Sequence, residues 1–328
     1  EPIFNLMGAS DSVLSLSVDY MSIIIMGVFF IFPMAALNNT FIGQGDTKTP
    51  MKIQAATLIL NMVLDPIFIY IMGFGVKGAA IATVCSFAAG LSMSAFFIRR
   101  AQVRPRSESF RFSCKECYGI LKVGAPASLT MLVMSLYFMG FNRLMVYFGT
   151  DYVAAFGIAS RLESLAILPV IAFSVSLLTL TGMFYGARKY SLLRSTISYA
   201  VKVGVLITSI VGAIFFIAPS VFMRIFTSDI SLISIGASYI RVNVFSFPFI
   251  AVGMMIGRSL QGMGYGMPSF IINITRVFIV AIPLALFLVF SLGMGFLSVA
   301  AAMVTGSMAS SCIAAIWITA TLRKFKNA

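Results

Sequence analysis

Asn61 and Asp65 lie inside the apolar run LILNMVLDPIFIYI, with hydrocarbon side chains on either side. A carboxylate near mid-membrane costs about 3 kcal/mol or more on insertion scales, so its presence points to function and asks for a partner. The i, i+4 spacing sets Asn61 on the same helix face, about 6 Å away at Cβ. Pro66 follows and has no N–H, which leaves the carbonyl of Met62 without its helical donor. Carboxylate, amide oxygen and free carbonyl form an oxygen cluster suited to a small hard cation or a proton. After the GFGVKG turn the next span carries Thr83, about 9 Å past the turn, where Asp65 stands about 12 Å before it. Equal depth brings the Thr83 hydroxyl to the same place. The plainer alternative is that Asp65 tethers a neighbouring helix and Thr83 bonds its own backbone.

The elements that must hold these residues are membrane helices. The chain has 328 residues, 60% hydrophobic and 10% charged, and its mean hydropathy of +1.01 excludes a soluble globular domain. Apolar runs long enough to span a core of about 30 Å fall near 16–40, 52–73, 77–98, 119–148, 152–184, 197–223, 232–260, 268–291 and 294–321. The formal charge of +13 raises nucleic acid as a partner, but the basic residues are placed one-sidedly. Lys48 and Lys52 share one loop. Arg99, Arg100, Arg104, Arg106, Arg111 and Lys115 share another, Arg188, Lys189 and Arg194 a third, and Arg323, Lys324 and Lys326 end the chain. All four clusters fall on one side of the spans, which the positive-inside rule makes cytoplasmic, together with the C-terminus. No nucleic-acid role is expected, and membrane lipids are the surrounding partner. Of four cysteines, Cys114 and Cys117 form a lone CxxC; with no histidine in the chain it cannot complete a four-ligand zinc site. Neither a metal centre, a cofactor nor an enzyme activity is expected.

An internal repeat organises the spans. Tyr20, Gly43 and Gly45 recur as Tyr239, Gly262 and Gly264, each 219 residues on (239 − 20, 262 − 43, 264 − 45). Gly75, Ala80 and Ala82 recur 220 residues on as Gly295, Ala300 and Ala302 (295 − 75, 300 − 80, 302 − 82). Such repeats are common in secondary transporters. The polar segment RRAQVRPRSESFRFSCKEC separates the copies, giving a partial first lobe over 1–100, a basic linker over 101–117 and a second lobe over 118–328. Three spans precede the linker and six follow it. On symmetry, about 100 residues and three helices are expected before Glu1, making two six-span lobes.

Further polar residues are candidates for a substrate cavity. Tyr20 and Asn38 are five helical turns apart and share a face, although Asn38 also suits an interfacial cap. Asp46 or Thr49 marks a helix start before Pro50. In the second half Glu163 is the only acidic residue inside any of the expected spans. At i, i+2 it does not face Arg161, so it is either a second coupling or substrate-attracting carboxylate or a structural tie to an arginine such as Arg258.

GQGDTKTPM, the L-N-x-x-L-D-P-I-F-I string from Leu60 to Ile69, GVKGAAIAT from Gly75 to Thr83 and KVGAPASL from Lys122 together resemble the MATE family, the multidrug and toxic compound extrusion transporters. The resemblance implies an all-α polytopic membrane protein with two pseudo-symmetric six-helix lobes, alternately open to either side. It also implies export of small organic cations in exchange for Na⁺ or H⁺ by a monomer in the bacterial cytoplasmic membrane. The family's first-lobe cation site would map onto Asn61, Asp65 and Thr83, with Tyr20 and Asn38 lining the adjoining cavity; a further family carboxylate would lie on a helix before Glu1. Where some members carry an acid in the tenth helix, this chain has Arg258. Two other functions remain open. One is a lipid-linked oligosaccharide flippase using Arg161 and Arg258 to hold pyrophosphate; the other is a non-transporting membrane protein whose Asp65 is structural.

Overall fold

A computed structural model of the protein describes residues 11–99 and 113–325. The opening segment 1–10, Arg100, Arg104, Arg106, Arg111 and most of the expected linker, and Lys326 lie outside the described residues. Among those described, all regular structure is helical and nine segments are long and apolar enough to cross a membrane. The reason is physical: hydrocarbon offers a backbone no hydrogen-bond partner, so a spanning segment must satisfy its own N–H and C=O groups.

The chain divides into two compact units, Glu1–Phe112 and Ser113–Ala328. The first contains α1 (Asp11–Gly43), α2 (Lys48–Pro66), a π-helical turn (Ile67–Ile71) and α3 (Gly75–Ile98). Met34, Phe41, Ile53 and Ile98 form its core. The helices close tightly at Gly90, where an added Cβ would stand 2.5 Å from Thr57 Oγ1 and 2.7 Å from Met34 Sδ.

The second unit contains α4 (Cys114–Val146), α5 (Thr150–Gly186), α6 (Tyr190–Ile217), the short α7 (Pro219–Arg224), α8 (Ile230–Asn243) and α9 (Phe247–Gly262). It continues with α10 (Met267–Ile274), α11 (Ile282–Leu286) and α12 (Leu297–Arg323), with π-helical stretches at Thr275–Ala281 and Phe287–Ser291. Its main core joins Phe141, Phe156, Tyr239, Phe247 and Met303.

The repeat read from residue types recurs in backbone geometry. Gly45 and Gly264 have φ of 85° and 87°, and Gly73 and Gly293 have 71° and 61°, values that favour glycine because it has no Cβ. The π turns Ile67–Ile71 and Phe287–Ser291 correspond at the offset of 220 (287 − 67). Their closing bonds match too: Phe74 N donates to Phe68 O at 3.1 Å and Met294 N to Leu288 O at 3.0 Å. Gly75 and Gly295, paired by sequence, are not equivalent in this respect, since Gly75 has φ 54° and Gly295 is not left-handed.

Two boundaries differ from the sequence expectation. The apolar run 197–223 is two helices, because α6 starts at Tyr190, ends at Ile217, and Pro219 opens α7. Proline lacks the N–H a continuing helix needs. Cys114 and Cys117, expected in the linker, occupy the first turn of α4, capped by the Ser113 hydroxyl, which accepts from Glu116 N. All four cysteines are free. Helix α4 also continues through Pro126.

Asp46 supplies the helix-start signal of α2, its Oδ1 accepting from the N–H groups of Lys48 and Thr49 at 3.0 Å each. Hydrogen bonding from Thr49 holds its carboxyl below the usual carboxylate range. Asp46→Ala should therefore lower stability by about 1 kcal/mol, read as a fall in melting temperature of the detergent-solubilised protein. Because the folded pKa is the lower one, this stabilisation is complete above the ordinary carboxylate pKa of about 4 and is lost as pH falls through the folded value. The wild-type and variant melting temperatures should converge on acidification. Gly306→Ala should cost about 1–3 kcal/mol by overpacking, since its Cβ would meet Arg276 O at 2.5 Å. Gly119→Ala, where nothing lies within 4 Å, should not destabilise.

Candidate functional site

In the first unit the structure brings Asn61, Asp65 and Thr83 together. Asn61 and Asp65 share a face of α2, and the amide Nδ2 of Asn61 donates to Asp65 Oδ1 at 3.4 Å. The same nitrogen reaches across to α3 and lies 3.5 Å from Thr83 Oγ1. Thr83 in turn donates to Ala79 O at 2.9 Å, the bond to its own helix expected of a membrane threonine. Its hydroxyl proton is thus committed, and its lone pairs face the site. All three side chains are half-buried within the unit.

The fold positions this corner through the π turn. A proline at the end of α2 removes a donor, and the following turn closes with Met72 N on Ile67 O at 2.9 Å. One extra residue per turn is the usual form of a π bulge, which recurs at functional sites. Close approach holds the two elements: a Cβ on Gly78 would lie 2.6 Å from Phe68 O. The corner offers one carboxylate, one reorientable amide and one hydroxyl acceptor. A half-turn of the Asn61 amide replaces its N–H donors with Oδ1 and leaves three oxygens around one point. Such a set suits a hard monovalent cation, or a proton shared between carboxyl and amide. Among the described residues no group of three or more His, Cys, Asp or Glu could hold a metal ion.

The remaining sequence candidates are placed separately. Asn38 is buried and accepts from Ser94 Oγ of α3 at 3.2 Å, a tie between helices. Tyr20 is half-buried on α1, beside the ion pair of Asp19 with Lys77 at 3.1 Å. Arg161 is exposed on α5. Arg258 donates to Gln261 Oε1 at 3.3 Å, so the expected tie from Glu163 to Arg258 is not formed. Glu163 Oε1 instead accepts from Asn243 Nδ2 at 2.6 Å, since the inward faces of α5 and α8 meet there.

Around Glu163 the second unit gathers a polar cluster. Its carboxyl interacts electrostatically with the Tyr137 and Tyr239 phenols. Tyr239 donates to Met303 Sδ at 3.2 Å. The guanidinium of Arg276 stands 5.7 Å from the Tyr137 ring centroid, with Nη2 2.9 Å from Met134 Sδ. Two buried polar atoms here have no partner, Asn243 Oδ1 and Arg276 Nε. Buried polar groups are ordinarily paired, so a free acceptor and a free donor mark the cluster as able to take a ligand. Arg276 carries the signal that marks Asp65, a charge ten residues into an apolar span. Tyr137 and Asn243 carry none, because a tyrosine or asparagine in a helix does not announce which neighbour it meets.

An all-helical fold with nine candidate membrane spans among the described residues, a repeated turn architecture and polar residues sunk in those spans defines a multi-pass membrane protein built on an internal repeat. The MatE family model matches residues 1–67 and 126–287, and the chain belongs to that family. It is 30% identical over 284 residues to the probable multidrug resistance protein NorM of Thermotoga maritima, covering 84% of this chain and 61% of that protein. It is 26% identical over 294 residues to the FAD transporter of Shewanella oneidensis, covering 87% and 64%. A crystal structure of MATE in the bent conformation superposes with a TM-score of 0.94 at 29% identity, covering 99% of this chain and 73% of that one. The chain thus spans somewhat under two thirds of the curated relatives it matches.

Removing the amide from Glu163 strands a half-buried carboxyl. Asn243→Leu should cost about 1–3 kcal/mol, measured as loss of thermal stability. Glu163→Gln, which keeps a hydrogen-bonding pair, should cost less.

Proposed function

We propose that the chain is the greater part of a secondary transporter that exports small organic cations by antiport with Na⁺ or H⁺, by alternating access of two lobes. The lobes would be 1–100 and 118–328, joined by the basic segment 101–117. The observation that carries this reading is the Asn61–Asp65–Thr83 corner, a carboxylate at membrane depth whose partners are a reorientable amide and a hydroxyl. The names of relatives, multidrug resistance protein among them, support export of drugs. The positive-inside pattern supports a cytoplasmic C-terminus in the bacterial cytoplasmic membrane, and nothing in the reading requires more than a monomer.

With the carboxylate ionised, Asn61 donates to it, as in the structure. Binding of Na⁺ or a proton removes the net charge, turns the amide oxygen inward and draws α2 and α3 closer at the corner. The ion biases the two access states only by its different affinity for each. Loss of the negative charge at the same time favours release of a cationic substrate. Tyr20 and Asn38 on α1 would lie along the route, Asn38 chiefly by holding α1 to α3. Glu163, with Asn243, supplies a second carboxylate to the substrate path.

A second reading rests on Arg276, a half-buried residue whose buried Nε is unpartnered. It favours a substrate with an anionic group, such as a flavin nucleotide or a lipid-linked pyrophosphate. Arg161 and Arg258, the arginines first in view for such a role, are exposed or engaged with Gln261.

Efflux of a fluorescent organic cation from membrane vesicles, driven in turn by imposed Na⁺ and proton gradients, tests both. One gradient should drive export in the wild type. Asp65→Asn should abolish the coupling, and Thr83→Val should weaken it roughly tenfold, as loss of one ligand from the corner costs about 1.4 kcal/mol. Export insensitive to either gradient and to Asp65→Asn, with uptake of FAD lost in Arg276→Gln, would establish the second reading instead.

A further inference from the structure

At the end of the second unit that carries Arg194 and Arg323, a cavity of about 600 Å³ opens between α6, α9 and α12. Its two walls are helix stripes. On α6 the residues lining it run Arg194, Ser198 and Lys202, one per turn, and on α12 they run Ala315, Thr319 and Arg323. Its floor is Val252 and Ile256 of α9. Three cations line it and no carboxylate does. Among the described residues none of the three is in an ion pair, and Arg194, Lys202 and Arg323 are all exposed. We propose that this groove binds one anionic phospholipid, its phosphate held by Arg194, Lys202 and Arg323 and an acyl chain laid over Val252 and Ile256.

Depth and chemistry select a lipid over a soluble anion. Lys202 lies about 18 Å along α6 from Tyr190, below the level a free anion occupies, and its flexible stem carries the ammonium back toward the interface. The interface is marked by aromatic side chains at the same end: Tyr190 stacks on Phe325 at 4.9 Å and meets Tyr185 at 6.4 Å. Rings of this kind sit at headgroup level. Arg194 and Arg323 flank that level and Lys202 lies beneath it, so the charges follow a phosphate and its glycerol esters inward, while the aliphatic floor continues where a chain must go. Basic pockets between membrane helices are a recognised form of anionic headgroup site.

The test is native mass spectrometry of the intact protein released from phosphatidylcholine nanodiscs doped with phosphatidylglycerol. The wild type should retain one phosphatidylglycerol in preference to phosphatidylcholine. Arg194→Gln, Lys202→Gln and Arg323→Gln should each lower that preference roughly fivefold, with melting temperature unchanged because the side chains are exposed. Ala315→Trp, which fills the groove and keeps every charge, should also release the lipid. An unchanged preference in the triple glutamine variant, or in Ala315→Trp, would overturn the proposal, the latter showing diffuse surface attraction without a groove. Displacement of the phosphatidylglycerol by millimolar inorganic phosphate would overturn it as well, by showing a site for a soluble anion.

Discussion

Every backbone N–H and C=O in these spans must find its partner within the protein, because hydrocarbon supplies none. That one constraint explains the helices and also the form of their interruptions. Where Pro66 removes a donor, the chain widens into a π turn and continues to bond. The same demand extends to short polar side chains. Thr57, Thr83 and Ser94 each donate to the carbonyl four residues back, on Ile53, Ala79 and Gly90. Each has a partner on its own backbone, and Thr83 and Ser94 also meet a side chain of another helix, Asn61 and Asn38. The side chains whose bonding capacity exceeds what their own backbone can absorb, Asp65, Asn61, Glu163, Asn243 and Arg276, are the ones that must meet other side chains, and they define both polar clusters.

The repeat shows how one frame carries two chemistries. Its turns are alike to within a few degrees at Gly45 and Gly264, because the closing bonds of the turn leave little choice to the backbone. Side chains at equivalent positions are under no such rule. Thr83 corresponds to Met303 (83 + 220) and Thr57 to Arg276 (57 + 219). In the first unit the third-span position presents a hydroxyl to the Asn61 amide; in the second the same position presents a thioether to the phenol of Tyr239. The repeat preserves the helices and their breaks, and the polar equipment differs between its copies.

The spans and the proximity of Asn61, Asp65 and Thr83 were legible from the chain alone. Each rests on a local rule: apolar length against membrane thickness, proline and glycine chemistry, or two residues an integral number of turns apart. The sequence also set Asp65 and Thr83 at similar distances from one short turn, by residue count alone. It misjudged the break at Pro219, where an apolar run hides two helices, because hydropathy does not register a missing N–H. Only the tertiary structure decided that Glu163 pairs with Asn243, 80 residues away in sequence, that Arg276 lies over the Tyr137 ring, and that basic residues of α6 and α12 wall one groove. Those pairings depend on which faces of distant helices meet, and in apolar spans most faces are equally apolar, so composition and periodicity leave the choice to packing.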